Sequence, residues 1–177
     1  NGWDRNLTAN QQNSLRSEYK VKTEFQAKYT FYDLGFNFRP TEITGFIGLE
    51  QLKFLESNIQ KRRDNHLELD IQVQKNFDLI SVQHSHIQEI SPFAFPIICR
   101  DEEKRSYYCE QFAGSGIEIR PMIAGNIQNQ PFYRKYVDKS FACPGADFLH
   151  NNSFYCGNYP ELNNADLELI KSCLYRI

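Results

Sequence analysis

Two polar segments carry side-chain types that can bind a charged or polar ligand. In the first, residues 35–42, the amide of Asn37 and the guanidinium of Arg39 alternate with aromatic residues just before a predicted helix. Helix N-termini favour anions, because their free N–H groups and the helix dipole both point outward, so Asn37 and Arg39 can face a phosphate. The alternative is structural: Asn37 shapes the turn and Arg39 pairs with an acidic residue.

The second segment, residues 120–131, follows a predicted strand and is rich in Arg, Asn and Gln. An arginine at a strand end suits a phosphate, and Arg120 and Asn126 can hydrogen-bond a polar ligand. The alternative is a structural loop whose polar side chains cap its own backbone. The residues leave both interpretations open.

Other clusters favour structural interpretations. His84 and His86 would share one face of a strand and could hold a metal with a third ligand, but the polar residues around them favour a loop. The acidic run Asp101–Glu103 is typical of a solvated turn. The sequence has no GxSxG, GxGxxG or GxxxxGK[ST] motif, which argues against a nucleophile elbow and a phosphate-cradling loop.

The elements that must position these residues follow from periodicity and breakers. Residues 1–30 are polar and weakly periodic, which predicts a long loop or arm. Helical spacing predicts a helix over about 41–73, capped by Thr41 and broken near 52–56. Short strands and helices follow, and their order indicates an α/β or α+β sandwich. The strands are predicted at 79–82, 93–99, 117–120 and 154–156, and the helices at 104–113, 130–136, 144–150 and 163–175. Pro96 indicates an edge strand or a bulge, and Gly114 ends the helix at 104–113.

Composition limits the class of protein. The chain has 177 residues, of which 24% are charged, with a net charge of −2. This balance gives no global electrostatic reason to bind nucleic acid or an anionic membrane. No apolar run approaches the roughly 20 residues of a membrane-spanning helix. The five cysteines are widely spaced without a CxxC pair, which favours reduced thiols in a cytosolic protein.

Several segments together resemble a known family. Residues 32–43, Tyr-Asp-Leu-Gly-Phe-Asn-Phe-Arg-Pro-Thr-Glu-Ile, continue through Gly48–Leu52 to Lys61–Asn65 in a pattern similar to the DegT/DnrJ/StrS family of nucleotide-sugar aminotransferases and sugar 3-dehydratases. Four later segments resemble the family members that act near the sugar 3-position: Arg120–Asn126, Gln130–Pro131, Ala146–His150 and Cys156–Pro160. The resemblance runs over the whole chain.

The resemblance implies an α/β fold, the fold-type-I transferase dependent on pyridoxal 5'-phosphate. Residues 1–55 would be the end of the large domain, a loop or arm and an interface helix. Residues 56–177 would be the C-terminal small domain, an α+β sandwich. The implied activity is transamination of a nucleotide-linked keto-sugar, or its 3-dehydration in the histidine branch, in surface polysaccharide, lipopolysaccharide or deoxy- and amino-sugar biosynthesis.

The resemblance also implies site residues and partners. Asn37 matches the asparagine that reaches the cofactor phosphate of the neighbouring subunit, although Phe36 replaces the usual tyrosine, and Arg39 is the second cofactor-binding candidate. Arg120 and Asn126 match the loop near the sugar nucleotide. The implied protein is a cytoplasmic homodimer that takes a nucleotide sugar and, as an aminotransferase, an amino-acid donor. It would bind no metal, nucleic acid or membrane.

The catalytic residue is expected elsewhere. The lysine or histidine of the family would lie upstream of Asn1, so this chain alone would lack the main catalytic apparatus and be inactive. The alternative is a non-catalytic remnant or binding module without the active-site half.

Overall fold

The computed structural model describes residues 4–5, 7–35 and 41–175. These residues form two compact units. Unit 1 draws on Asn1–Phe38 and Arg120–Asn151, and unit 2 on Arg39–Ile119 and Asn152–Ile177. A 3₁₀ turn covers Ile127–Asn129, and the other elements are, in chain order, α1 (Ala9–Glu18), α2 (Glu24–Ala27), α3 (Glu42–Leu52), α4 (Leu55–Gln74), β1 (Ala94–Ile98), α5 (Glu102–Gly114), β2 (Ile119–Pro121), α6 (Pro131–Tyr136), α7 (Pro144–Asn152), β3 (Ser153–Gly157) and α8 (Asn164–Cys173).

β1 and β3 of unit 2 belong to a three-stranded sheet with the order β1-β3-β2. β1 and β3 are antiparallel, with Phe95 opposite Cys156 and Ile97 opposite Phe154. Phe95 and Ile97 are buried because alternate side chains of a strand point to the same face of the sheet. The edge position of β1 confirms the expectation from Pro96, whose missing N–H cannot serve a second neighbouring strand.

Helices pack on this sheet to form the core of unit 2. The buried side chains of α4 recur at helical spacing, as expected for a helix with one face against the core. Just beyond α4, the amide of Asn76 donates to Tyr108 Oη at 2.6 Å and to the Leu174 carbonyl at 2.8 Å, which joins α5 and the end of α8 to α4. The largest fully buried side chains are Leu69, Phe95, Ile97, Tyr108, Phe112, Phe154 and Leu174.

The N-terminal part of unit 1 corrects one prediction. The expected loop or arm before residue 30 is wrong, because the chain forms α1 and α2 there. Thr8 and Gln11 make a capping box at the start of α1. Arg16 donates to the buried Asp4 at 2.6 Å and to Glu24 at 2.5 Å. Caps and ion pairs, rather than an apolar stripe, therefore hold this segment, and hydrophobic periodicity does not reveal it.

Most later elements match their predictions. The helix over 41–73 is interrupted as expected, between α3 and α4, and Thr41 caps α3 by accepting from the Thr44 N–H at 3.2 Å. The predicted strand at 79–82 is wrong, since only Leu79 forms a bridge there, with Cys99. The predicted boundary between a large and a small domain at residue 55 refers to the domains of a longer enzyme and stays a prediction.

The five cysteines are free thiols. Cys99, Cys156 and Cys173 are buried, whereas Cys109 and Cys143 are half-buried. Burial raises the pKa of the Cys99 and Cys156 thiols to about 12.

None of the helices that the structure describes has the length and apolar character needed to cross a membrane.

Candidate ligand-binding site

A strained turn in unit 1 directly precedes Asn126, one of the predicted site residues. After β2, the Gly125 N–H donates to the Met122 carbonyl at 3.1 Å, and both Ala124 and Gly125 have positive φ, +54° and +52°. A residue with a Cβ costs about 1–2 kcal/mol in this left-handed region. Gly125 has no Cβ, and one built on it would lie 2.2 Å from Nδ1 of His150. The turn is therefore pressed against α7.

Asn126 follows this turn and is buried. Its Nδ2 donates to Asp147 Oδ1 on α7 at 2.6 Å, and its Oδ1 accepts from the Gln128 N–H at 3.0 Å. The side chain thus caps the 3₁₀ turn and ties it to α7. Two of the family-like segments, Arg120–Asn126 and Ala146–His150, meet through this hydrogen bond and through the contact between Gly125 and His150.

An open cavity of about 480 Å³ lies beside Asn126. Its size is in the range of small-molecule sites, roughly 300–1,000 Å³. The lining is mostly polar and contains charges of both signs: Arg134 and Lys139, and Asp138 and Asp147. Cations suit phosphate groups, and carboxylate and amide oxygens accept hydrogen bonds from hydroxyl groups.

Gln128 forms part of the cavity wall. Its Nε2 donates to the Phe141 carbonyl at 3.0 Å, and its Oε1 accepts from the Phe141 N–H at 2.6 Å. This paired contact holds residues 137–141, which also line the cavity, against the 3₁₀ turn. Sequence patterns reveal neither the contact of Gln128 with Phe141 nor the pairing of Asn126 with Asp147, because nothing local indicates a contact across 13 or 21 positions.

Arg120 lies elsewhere in unit 1. It is half-buried in β2 and is not among the described residues that line the 480 Å³ cavity. The structure therefore brings Asn126 together with Asp147 at the cavity and does not bring Arg120 to it. The ligand-binding roles of Arg120 and Asn126 stay predictions.

Asn37 and Arg39 lie outside the described residues. The segment before them is held by α6: Tyr136 Oη donates to Asp33 Oδ1 at 2.6 Å, and Lys135 Nζ lies 3.3 Å from Asp33 Oδ2. The hydrogen bond from Tyr136, followed by those from the Leu34 N–H and from Lys135, lowers the pKa of Asp33. Residues 31–34 are thus fixed in unit 1.

The histidines do not form the pair expected of a strand. Residues 81–84 adopt no regular structure, and His84 packs edge-on against the buried His66, with ring centroids 5.5 Å apart. Within residues 4–5, 7–35 and 41–175, no three potential metal ligands come together.

Comparison with known proteins identifies this architecture. Residues 5–175 match the DegT/DnrJ/EryC1/StrS aminotransferase family. The chain is 32% identical over 163 residues to GDP-4-keto-6-deoxy-D-mannose 3-dehydratase of Escherichia coli O55:H7, covering 89% of this chain and 40% of that protein. It is 23% identical over 153 residues to UDP-4-amino-4,6-dideoxy-N-acetyl-beta-L-altrosamine transaminase of Campylobacter jejuni, covering 82% and 39%.

A solved structure gives the same result. The fold is similar to E. coli GDP-4-keto-6-deoxy-D-mannose-3-dehydratase with bound hydrated pyridoxal phosphate, with a TM-score of 0.68 and 27% identity. The match covers 98% of this chain and 44% of that one. The architecture is thus that of the C-terminal portion of a fold-type-I transferase. The chain belongs to the DegT/DnrJ/EryC1/StrS aminotransferase family. It spans about two fifths of the length of the curated relatives named above.

Proposed function

We propose that this chain is the C-terminal part of a pyridoxal-phosphate-dependent enzyme that acts on a nucleotide-linked keto-sugar. The reaction is transamination or 3-dehydration, in the biosynthesis of lipopolysaccharide or of deoxy- and amino-sugars. Family membership and the two relatives, a dehydratase and a transaminase of nucleotide sugars, support the class.

The main structural support for this function is the cavity beside Asn126. Two segments that resemble the family's sugar-side loop and its following helix meet there, through the hydrogen bond between Asn126 and Asp147. Arg134 and Lys139 offer positive charge to a diphosphate, and Asp138 and Asp147 offer acceptors to sugar hydroxyls. A polar cavity with both kinds of group suits a nucleotide sugar better than an apolar ligand. Arg120 does not line this cavity, and only the family resemblance of its segment supports it as the second proposed substrate contact.

Pyridoxal phosphate acts as an electron sink when it is bound, and the protein positions and tunes it. Asn37 and Arg39 would hold its phosphate in the neighbouring subunit, with an amide and a guanidinium as donors. In the sequence they lie within four residues of Thr41, the N-cap of α3. The first turn of α3 is exposed, so its N-terminus is accessible to an anion held by another polypeptide. The exposed N–H groups of this turn suit a phosphate, whereas Glu42 in the same turn opposes an anion and Thr41 already occupies the Thr44 N–H.

The catalytic lysine or histidine would be supplied from outside this chain. A lysine that reacts as a nucleophile at neutral pH needs a lowered pKa. Here Lys104, Lys135 and Lys171 each pair with a carboxylate, and these pairings raise their pKa. This direction argues against a nucleophilic role for these three lysines.

The enzyme would be a homodimer. In α3, Ile43 is 71% exposed, Phe46 67% and Leu49 66%, which leaves an apolar helix uncovered in the described residues. Gly45 and Gly48 have no described atom within 4 Å of an added Cβ, so another backbone can approach them closely. The free thiols suit a reducing compartment, which supports a cytoplasmic enzyme.

Expression of the complete reading frame that contains these residues tests the proposal. We expect a purified protein with the visible absorbance of bound pyridoxal phosphate, and weaker cofactor retention in Asn37→Ala. Product analysis with GDP- and UDP-linked 4-keto-6-deoxy sugars and glutamate then identifies the reaction. Transamination replaces the keto oxygen by an amino group, whereas dehydration removes water. A protein that retains no cofactor and converts neither sugar would instead be a remnant or binding module.

A further inference from the structure

Gln130 occupies the N-cap position of α6 but does not cap it. Ser, Thr, Asp and Asn are preferred at this position, because their short side chains reach the free N–H groups of the first turn. The Gln130 side chain makes no such bond, although the residue is only 5% exposed. Its amide is directed to two other parts of unit 1.

The two ends of the amide hold two segments that are distant in sequence. Oε1 accepts from the Phe31 N–H at 3.0 Å, across 99 positions, and Nε2 donates to the Ala124 carbonyl at 3.1 Å. The Phe132 N–H also donates to the Phe31 carbonyl at 3.1 Å. Phe31 is therefore fixed on both its backbone groups, and the Ala124 carbonyl is fixed to the same amide.

The bond to Ala124 acts at the strained turn. Ala124 has a φ of +54°, a conformation that costs free energy for a residue with a Cβ. Two residues later, Asn126 reaches the cavity wall, and its Oδ1 accepts from the Gln128 N–H. Without the donor of Gln130, we expect Ala124 to relax towards negative φ and Asn126 to shift with it.

We propose that Gln130 is a positioning residue that sets how Asn126 faces the cavity, by tying the Ala124 turn to the Phe31 backbone. The inference deepens the proposed function and rests on it only for the identity of the ligand. Residues 31–34 lead towards Asn37, so the same amide links the proposed cofactor-side and sugar-side segments. The hydrogen bonds that position Asn126 lie within the part of unit 1 that the structure describes. They can be measured without enzyme activity.

Hydrogen exchange in the protein from the complete reading frame provides that readout. The Gln128 N–H reports the position of the Asn126 amide, and the Phe31 N–H reports the acceptor of Gln130. We expect Gln130→Met to lower protection at both amides by about fivefold, the ratio for loss of one hydrogen bond. Gln88→Met, an exposed position, is the matched control and should change neither.

Gln130→Glu separates the two contacts and keeps the length of the side chain. At neutral pH its carboxylate still accepts from Phe31 but cannot donate to Ala124, so only Gln128 should lose protection. At low pH the buried carboxyl takes up a proton, donates again and should restore protection relative to the parent protein at the same pH. Lys20 lines the same pocket as residue 130 and favours the carboxylate, so the recovery is followed down to about pH 4. A purely structural defect would not recover in this way.

The functional counterpart is the KM for the nucleotide sugar. We expect Gln130→Glu at neutral pH to raise KM about fivefold with a smaller change in kcat. Unchanged protection of Gln128 in both variants would overturn the positioning role. Lost protection with an unchanged KM would overturn its link to the ligand. If the proposed function is wrong, the parent protein binds no cofactor and converts no sugar, while the variants still show the expected changes in hydrogen exchange. The two failures are therefore distinguishable.

Discussion

Replacing Gly125 by alanine tests whether the loop that carries Asn126 is seated on α7. The added Cβ would lie 2.2 Å from Nδ1, 2.8 Å from Cγ and 2.9 Å from Cβ of His150. Real Cβ atoms do not approach heavy atoms this closely, so either His150 or the turn must move. The φ of +52° adds strain of its own.

The expected cost has two parts. The positive φ costs about 1 kcal/mol for alanine, and overpacking costs about 1–3 kcal/mol. Gly116 provides a matched control, because its φ is +75° but no described atom lies within 4 Å of an added Cβ. Gly116→Ala should show only the backbone part, and the entropy that alanine removes from the unfolded chain is similar in both variants. We therefore expect Gly125→Ala to lose about 1–3 kcal/mol more than Gly116→Ala.

Urea unfolding followed by circular dichroism measures both variants, alone and combined with His150→Ala. Truncating His150 removes Nδ1 and Cγ but keeps Cβ, so the second change should relieve most of the additional loss, and the double mutant should be more stable than the sum of the single effects. Equal losses in Gly125→Ala and Gly116→Ala, or strict additivity with His150→Ala, would refute the close contact between the turn and α7.

Three further predictions concern titration and hydrogen bonding. Burial lowers the pKa of His66, and the nearby Asp70 opposes this shift, so the unfolded state binds more protons and stability should fall as the pH drops below about 6.5. The urea midpoints at pH 7.5 and 5.5 should therefore differ less in His66→Phe than in the parent protein. An equal difference in both proteins would contradict this. Tyr136→Phe should bring the pKa of Asp33 back towards its ordinary value, as followed by carboxyl NMR. Asp147→Ala leaves the buried Asn126 amide without its acceptor and should cost about 1–3 kcal/mol in unfolding free energy, whereas Asp147→Asn can keep an acceptor oxygen and should cost less.

Local patterns predict much of unit 2. Thr41 and helical spacing locate the start of α3, Pro96 indicates an edge strand, and Gly114 marks the end of α5. Each of these signals acts within a few residues of its effect. The sequence therefore contains enough information to place these elements without knowledge of their neighbours in space.

Long-range contacts limit the prediction of the candidate site. Asn126 and Asp147 both appear in segments recognisable from the family, but their hydrogen bond spans 21 positions and depends on how α7 packs against the turn. Gln130 lies in a family-like segment at the start of a predicted helix, but its partner Phe31 is 99 positions away, so nothing local indicates their contact. The helix α1 is missed for a different reason: its stabilising contacts, Arg16 with Asp4 and Glu24, leave no apolar period.

The buried thiols of Cys99 and Cys156 have a practical consequence. Only the thiolate reacts with alkylating reagents, and with a pKa of about 12 almost none is present at neutral pH. Cys156 lies in β3 and Cys99 directly follows β1, and both side chains are buried, so they become reactive only when the core around them opens. The rate of their labelling would thus measure how often this core opens, with no engineered probe.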